Sequence, residues 1–110
     1  MDTTAALSAL SALAQPTRLA LFRALVKAGG DGLLSGELGA RLGLLQNTTS
    51  ANLTVLLQAG LIRNTRQGRQ VRYFADMDGM RDLLAFLMED CCGGRPEACR
   101  PVIETLTCKT

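Results

Sequence analysis

With 110 residues, 47% of them hydrophobic, the chain is one domain by length and can bury a modest core. It has no histidine, which excludes an imidazole general base and every His-containing zinc site, and no run of about 18 apolar residues, the length a membrane-spanning helix needs. The net charge of +2 conceals a local excess: no acidic residue lies between Glu37 and Asp76, where Arg41, Arg63, Arg66, Arg69 and Arg72 together supply +5.

The chain then reads as a succession of short helices. Residues 3–14, TTAALSALSALA, place Leu7, Leu10 and Leu13 on one side among alanines and serines, with Thr3 or Thr4 able to cap the start. So short a helix needs a neighbour, and its small residues suit close packing, preferably against a partner chain. Pro16 is tolerated in a first helical turn. Leu19, Phe22, Leu25 and Val26 follow as an apolar stripe that stops at Gly29 and Gly30, which predicts the central core helix. After a loop over residues 29–34, Ser35 can cap a helix with Glu37 in its first turn, Leu38 and Leu42 inside and Gly43 at its end. This is the first helix of a helix-turn-helix, with residues 43–46 as its turn.

The second helix begins around Asn47 or Thr48. On a helical wheel Leu53, Leu56 and Leu57 face one way, and Asn47, Thr48, Ala51, Asn52, Val55 and Gln58 face the other. The outer face has short amides and small groups and no charge, which suits close approach to base edges: Asn and Gln pair with adenine, and small apolar groups touch a thymine methyl. An ordinary half-buried polar helix would show the same wheel. Two strand-like runs follow, residues 61–66 and 70–75, joined around Gly68 in a hairpin. Arg63, Arg66, Arg69 and Arg72 recur at every third residue along it, a concentration that favours phosphate contacts with steep salt dependence. A base-reading helix beside a basic hairpin is the winged-helix arrangement.

Asp76 or Asp78 can start the last long helix, on which Met80, Leu83, Leu84, Leu87 and Met88 repeat at spacings of three and four. That stripe is wide enough to cover its own core and also to meet the first and last helices of a second subunit, giving an isologous dimer; the alternative is a monomer. The helix leads into Cys91-Cys92-Gly93-Gly94-Arg95-Pro96-Glu97-Ala98-Cys99, where the two glycines can turn the chain so that Cys99 returns toward the pair. Three thiolates without imidazole favour a soft, thiophilic ion, and a pyramidal trivalent centre such as As(III) or Sb(III) needs only three sulfurs. Tetrahedral zinc or cadmium would take Cys108 as a fourth, from a tail expected to be mobile. A redox or persulfide sensor using Cys99 with Cys91 or Cys92, and incidental buried cysteines, are the other readings.

Several of these segments resemble ArsR/SmtB repressors. The family's Leu-Ala-x-Pro-x-Arg-Leu signature is matched by Leu13, Ala14, Pro16, Arg18 and Leu19, and its Ser-x-His-Leu-x-x-Leu pattern by Ser50, Ala51, Asn52, Leu53 and Leu56, with Asn52 where His is common. Gly60-Leu61-Ile62, Arg66-Gln67-Gly68-Arg69 and Tyr73 carry the likeness through the wing, and in all it covers residues 12 to 88. Some arsenic-responsive members place a Cys-Cys pair and a later Cys after the last helix, as Cys91, Cys92 and Cys99 stand here. The Cys-x-Cys site of other members is absent from residues 37–41, and the family's His and carboxylate zinc site fails for want of histidine.

The expected protein is mainly α with a small β-hairpin: a winged helix-turn-helix, dimeric through its first and last helices. Residues 1–92 form the DNA-binding and dimerisation domain and residues 93–110 a cysteine-bearing tail. Asn47, Thr48, Ser50, Ala51, Asn52, Arg63, Arg66, Arg69 and Arg72 are the expected contacts to double-stranded operator DNA. The resemblance implies a repressor that binds its operator when metal-free and is released by the metalloid inducer. No enzymatic activity, organic cofactor or membrane partner is expected. The start MDTTAALSALSALAQ lacks the basic segment of a signal peptide, which points to the cytoplasm. A small thiol oxidoreductase or a metal buffer fits less well, lacking a Cys-x-x-Cys in the first case and having an arginine-rich hairpin in the second.

Overall fold

The computed structural model describes residues 1–89, 97 and 100–105. Helix α1 spans Thr3–Leu13 and is capped by Asp2, whose carboxylate accepts from the Ala5 N–H at 2.7 Å; Thr3 and Thr4, the expected caps, are already helical. Its buried residues are Ala6, Ala9 and Ala12 rather than the leucines, because three alanines at a spacing of three make a flat strip on which α1 can settle close to its neighbours. Leu7 and Leu10 point outward at 61% and 39% exposure.

Pro16 opens helix α2, Pro16–Ala28, with the Gln15 side chain accepting from the Arg18 N–H. Leu21, Phe22 and Leu25 are buried and form the middle of the core, whereas Leu19 and Val26, expected inside, are exposed. The apolar stripe is rotated because α1, α3, α4 and the sheet all pack on the Leu21 side. A 3-10 turn at Gly29–Asp31 leads to strand β1, Leu33–Leu34, which pairs antiparallel with β3 of the hairpin. The expected hairpin is therefore part of a three-stranded sheet, ordered β1-β3-β2, and the wing is tied to the helical body.

Helix α3, Ser35–Leu42, starts one residue earlier than a Ser35 cap would give. Glu37 reaches back to accept from the Leu34 N–H at 2.9 Å, and Gly43 ends the helix in the left-handed region. Helix α4, Gln46–Gln58, crosses it closely at Gly39, where a Cβ would stand 3.1 Å from the Thr49 hydroxyl. Thr49 is fully buried and donates to the Leu45 carbonyl, so no polar atom is stranded at this crossing. Leu53 and Leu56 anchor α4 on the core.

Strands β2, Ile62–Gln67, and β3, Gln70–Ala75, pair in register from Ile62↔Ala75 to Gln67↔Gln70, which leaves a two-residue loop of Gly68 and Arg69. Gly68 has φ 65°, the conformation such a tight turn requires. Helix α5, Met77–Leu87, is capped by Asp76, whose carboxylate accepts from the Gly79 N–H. Leu83 is buried and Met80 and Phe86 are half-buried, but Leu84, Leu87 and Met88 remain exposed. A further helix, α6, Arg100–Thr105, gives regular structure to part of the tail expected to be mobile. Among the described residues no helix is long and apolar enough to cross a membrane.

Candidate nucleic-acid interface

The outward face of α4 is as free of charge in three dimensions as on the wheel. Asn47, Thr48, Ser50, Ala51, Thr54, Val55 and Gln58 are exposed, and Thr49, Leu53 and Leu56 hold the opposite face down. Thr54 is an addition to the predicted set, although the same wheel places it between Ser50 and Asn47. Its hydroxyl donates to the Ser50 carbonyl at 3.0 Å, while the Ser50 hydroxyl accepts from the Gln46 amide at 3.1 Å. Asn47, Thr48, Ser50 and Ala51 are the exposed predicted contacts on α4, toward the N-terminal end of the helix, where a helix in the major groove meets base edges.

Asn52 differs from the rest of the predicted set. It is half-buried at the rim of the face, its Nδ2 donating to the Thr48 carbonyl at 2.9 Å and its Oδ1 accepting from Arg18 at 3.2 Å. Arg18 comes from the first turn of α2 and also donates from Nε to the Ala12 carbonyl at 2.7 Å and from Nη2 to the Ser11 carbonyl at 3.4 Å. Arg18 belongs to the matched Leu-Ala-x-Pro-x-Arg-Leu segment, but no local pattern shows which distant amide it meets.

The four wing arginines do not form one row. Side chains alternate along a strand, so a spacing of three sends Arg63 and Arg66 to opposite faces of the sheet. Arg63 shares its face with Phe74 and Arg72, the residues paired to Arg63 and Thr65. Its guanidinium lies 4.4 Å from the Phe74 ring centroid, a cation–π contact that leaves the residue exposed. Arg66 projects from the other face, on the same side as Asn64 and Tyr73, and Arg69 sits in the loop at the tip. Both are exposed and have no carboxylate partner among the described residues.

Arg72 is engaged inside the protein. Its Nε donates to Gln67 at 3.0 Å and its Nη1 to the Asp31 carbonyl at 3.1 Å, with the Glu37 carboxylate 4.0 Å away. That long, partly solvated ion pair adds little by itself, but the hydrogen bonds tie β3 to the turn before β1. Of the five arginines between Glu37 and Asp76, those left open are Arg66 and Arg69 at the wing, Arg63 on its outer face and Arg41 in the last turn of α3. Cys91, Cys92 and Cys99, the predicted metal ligands, lie outside the described residues, as does Cys108. Among the described residues no group of three potential metal ligands comes together.

A helix-turn-helix domain family matches residues 13–65. The chain is similar to the HTH-type transcriptional regulator CmtR of Mycobacterium tuberculosis and Mycobacterium bovis, 44% identical over 63 residues that make up 56% of this chain; it spans about half, 50%, of the length of these curated relatives. Among solved structures it resembles HlyU from Vibrio cholerae, with 30% identity and a TM-score of 0.62 over 79% of this chain and 97% of that one. It also resembles a possible transcriptional regulator for arsenical resistance, with 29% identity and a TM-score of 0.65 over 73% of this chain and 80% of that one.

Proposed function

Because the chain belongs to the ArsR/SmtB family of winged-helix repressors, we propose that it binds operator DNA as a homodimer and is released by As(III) or Sb(III) held on Cys91, Cys92 and Cys99. The observation that carries the DNA reading is the uncharged, exposed face of α4 flanked by the Arg66 and Arg69 wing. In this reading Asn47, Thr48, Ser50, Ala51 and Asn52 enter the major groove and read base edges, while Arg63, Arg66 and Arg69 neutralise flanking phosphates. Arg72, already held by Asp31 and Gln67, sets the angle of the wing and adds its charge from there.

The second subunit covers the apolar surface left open on α1 and α5. Leu7 and Leu10 on the first helix and Leu84, Leu87 and Met88 on the second are each between 37% and 61% exposed, and the two helices touch. The similarity to a possible regulator for arsenical resistance supports the choice of inducer, as does the donor set: three thiolates in nine residues with no histidine in the chain suit a soft trivalent centre. α5 ends at Leu87, four residues before Cys91 in sequence, so loading the thiolates acts next to the dimer-forming helix. A hundredfold loss of operator affinity requires about 2.7 kcal/mol of coupling between the two sites. Binding of DNA and metalloid is the whole task, with no catalysis.

The test is fluorescence anisotropy on an operator selected from a randomised duplex pool, with and without arsenite, for the parent and for Cys91→Ser, Cys92→Ser, Cys99→Ser and Cys108→Ser. Arsenite should release the parent and the Cys108 variant but none of the other three. Release by zinc, cadmium or an oxidant with no response to arsenite would keep the repressor and remove the inducer assignment.

A further inference from the structure

Arg18 holds a position that DNA contact alone does not explain. Its guanidinium is a rigid, planar group with donors only, and here it spans three acceptors: the Ala12 and Ser11 carbonyls at the end of α1 and the Asn52 carboxamide of α4. The two carbonyls belong to the last turn of α1, where the Ser11 oxygen also accepts from the Ala14 N–H at 3.2 Å and the helix dipole favours a cation. With those contacts made, the remaining Nη1 is directed at Asn52 Oδ1. On its other side the same carboxamide donates from Nδ2 to the Thr48 carbonyl at 2.9 Å.

These two neighbours fix which way the amide lies. Turned over, its NH2 would face the donor-only guanidinium and its oxygen would face a carbonyl, so both contacts would become repulsive. A carboxamide has two N–H groups and two lone pairs, and one of each is used internally. One N–H and one lone pair remain, the complement that a bidentate contact with adenine uses. From this geometry we infer that Arg18 is a positioning residue for sequence discrimination: it holds the Asn52 amide in a single orientation at the rim of the reading face. The inference rests on the proposal that α4 reads DNA. A side chain oriented before binding does not lose that freedom on the operator, so the benefit falls on the base pair it reads and not on the phosphates. The same strut fastens the end of α1 to α4, so the position of α1 also sets the amide.

The experiment compares the parent with Arg18→Gln, Arg18→Lys, Asn52→Ala and the Arg18→Gln/Asn52→Ala double variant. Each is assayed against the selected operator and against versions of it with one base pair changed. Asn52→Ala should lose discrimination at one base pair by about tenfold, within the range of a bidentate base contact. Arg18→Gln should lose it at the same base pair, with unchanged salt dependence and non-specific affinity, and the double variant should be no worse than Asn52→Ala. Arg18→Lys keeps the charge, but its single ammonium cannot bridge the α1 carbonyls and Asn52 together, so it should fail at that same base pair. If Arg18→Gln does not fold, Arg18→Lys and NMR relaxation of the Asn52 side-chain amide, ordered in the parent and mobile in the lysine variant, decide the matter.

Equal loss on every duplex, loss at a different base pair, additive effects in the double variant, or an Asn52 amide equally ordered without Arg18 would each overturn the inference. Failure of the parent to select any duplex would remove the DNA reading itself, a result distinct from all of these.

Discussion

The outer face of α4 and the wing beside it are both exposed and both polar, yet their chemistry suits different partners. The eight exposed residues of α4 carry no charge, whereas the hairpin presents arginines on both faces and at its tip. Short, uncharged side chains can be pressed against base edges without stripping water from an ion, and they discriminate by matching donors to acceptors. Long cations act through a field that every duplex shares. The contrast repeats within the wing. Arg69 and Arg72 are three residues apart and chemically identical, but one stands free at the loop and the other is bonded to Asp31 and Gln67.

The contrast can be broken from below. Leu53 and Leu56 are fully buried under α4, so Leu56→Ala should cost about 2–5 kcal/mol of stability by leaving a cavity where the helix rests. Urea denaturation measures this, and a loss below about 0.5 kcal/mol, ordinary for a surface substitution, would mean α4 is not seated as described. Next in size, Asn47→Ala should weaken operator binding by about 1–3 kcal/mol while leaving binding to unrelated duplexes and its salt dependence intact. Equal weakening on all duplexes would move Asn47 out of the reading set.

Arg69→Ala should do the reverse. It should lower affinity for every duplex alike and reduce the slope of log K against log salt by about 1. Arg72→Ala should have the smallest effect on DNA and act instead on the fold, removing about 0.5–1.5 kcal/mol for each hydrogen bond lost and speeding amide exchange in β1 and β3. A salt slope that falls as it does for Arg69→Ala, with exchange unchanged, would return Arg72 to the phosphate-binding group.

Helix α4 was legible because a helical wheel separates two chemically distinct faces, and Leu53 and Leu56 lie where the pattern put them. On α1 the same method grouped Leu7, Leu10 and Leu13 on one side without deciding which side is inside. Alanine and leucine are both apolar, and only the close packing of the folded chain shows that the alanines are inside. On α2 the stripe was misplaced by the direction of four neighbouring elements, which no periodicity records. Strand β1 is two residues long, too short to leave a pattern. The Asp31 partner of Arg72 and the Asn52 partner of Arg18 lie 41 and 34 residues away in sequence, so these two contacts are a property of the fold alone. The cysteine chemistry is the opposite case: it rests on residue type and spacing alone, with Cys91, Cys92 and Cys99 outside the described residues.

The most direct measurement is a salt titration of binding to the selected operator and to a scrambled duplex, by the parent, Asn47→Ala and Arg69→Ala. The division of labour predicts that the ratio of the two affinities falls only for Asn47→Ala and that the salt slope falls only for Arg69→Ala. If Arg69→Ala lowers the ratio while Asn47→Ala lowers the slope, the roles assigned to the helix and the wing are reversed and the account is wrong.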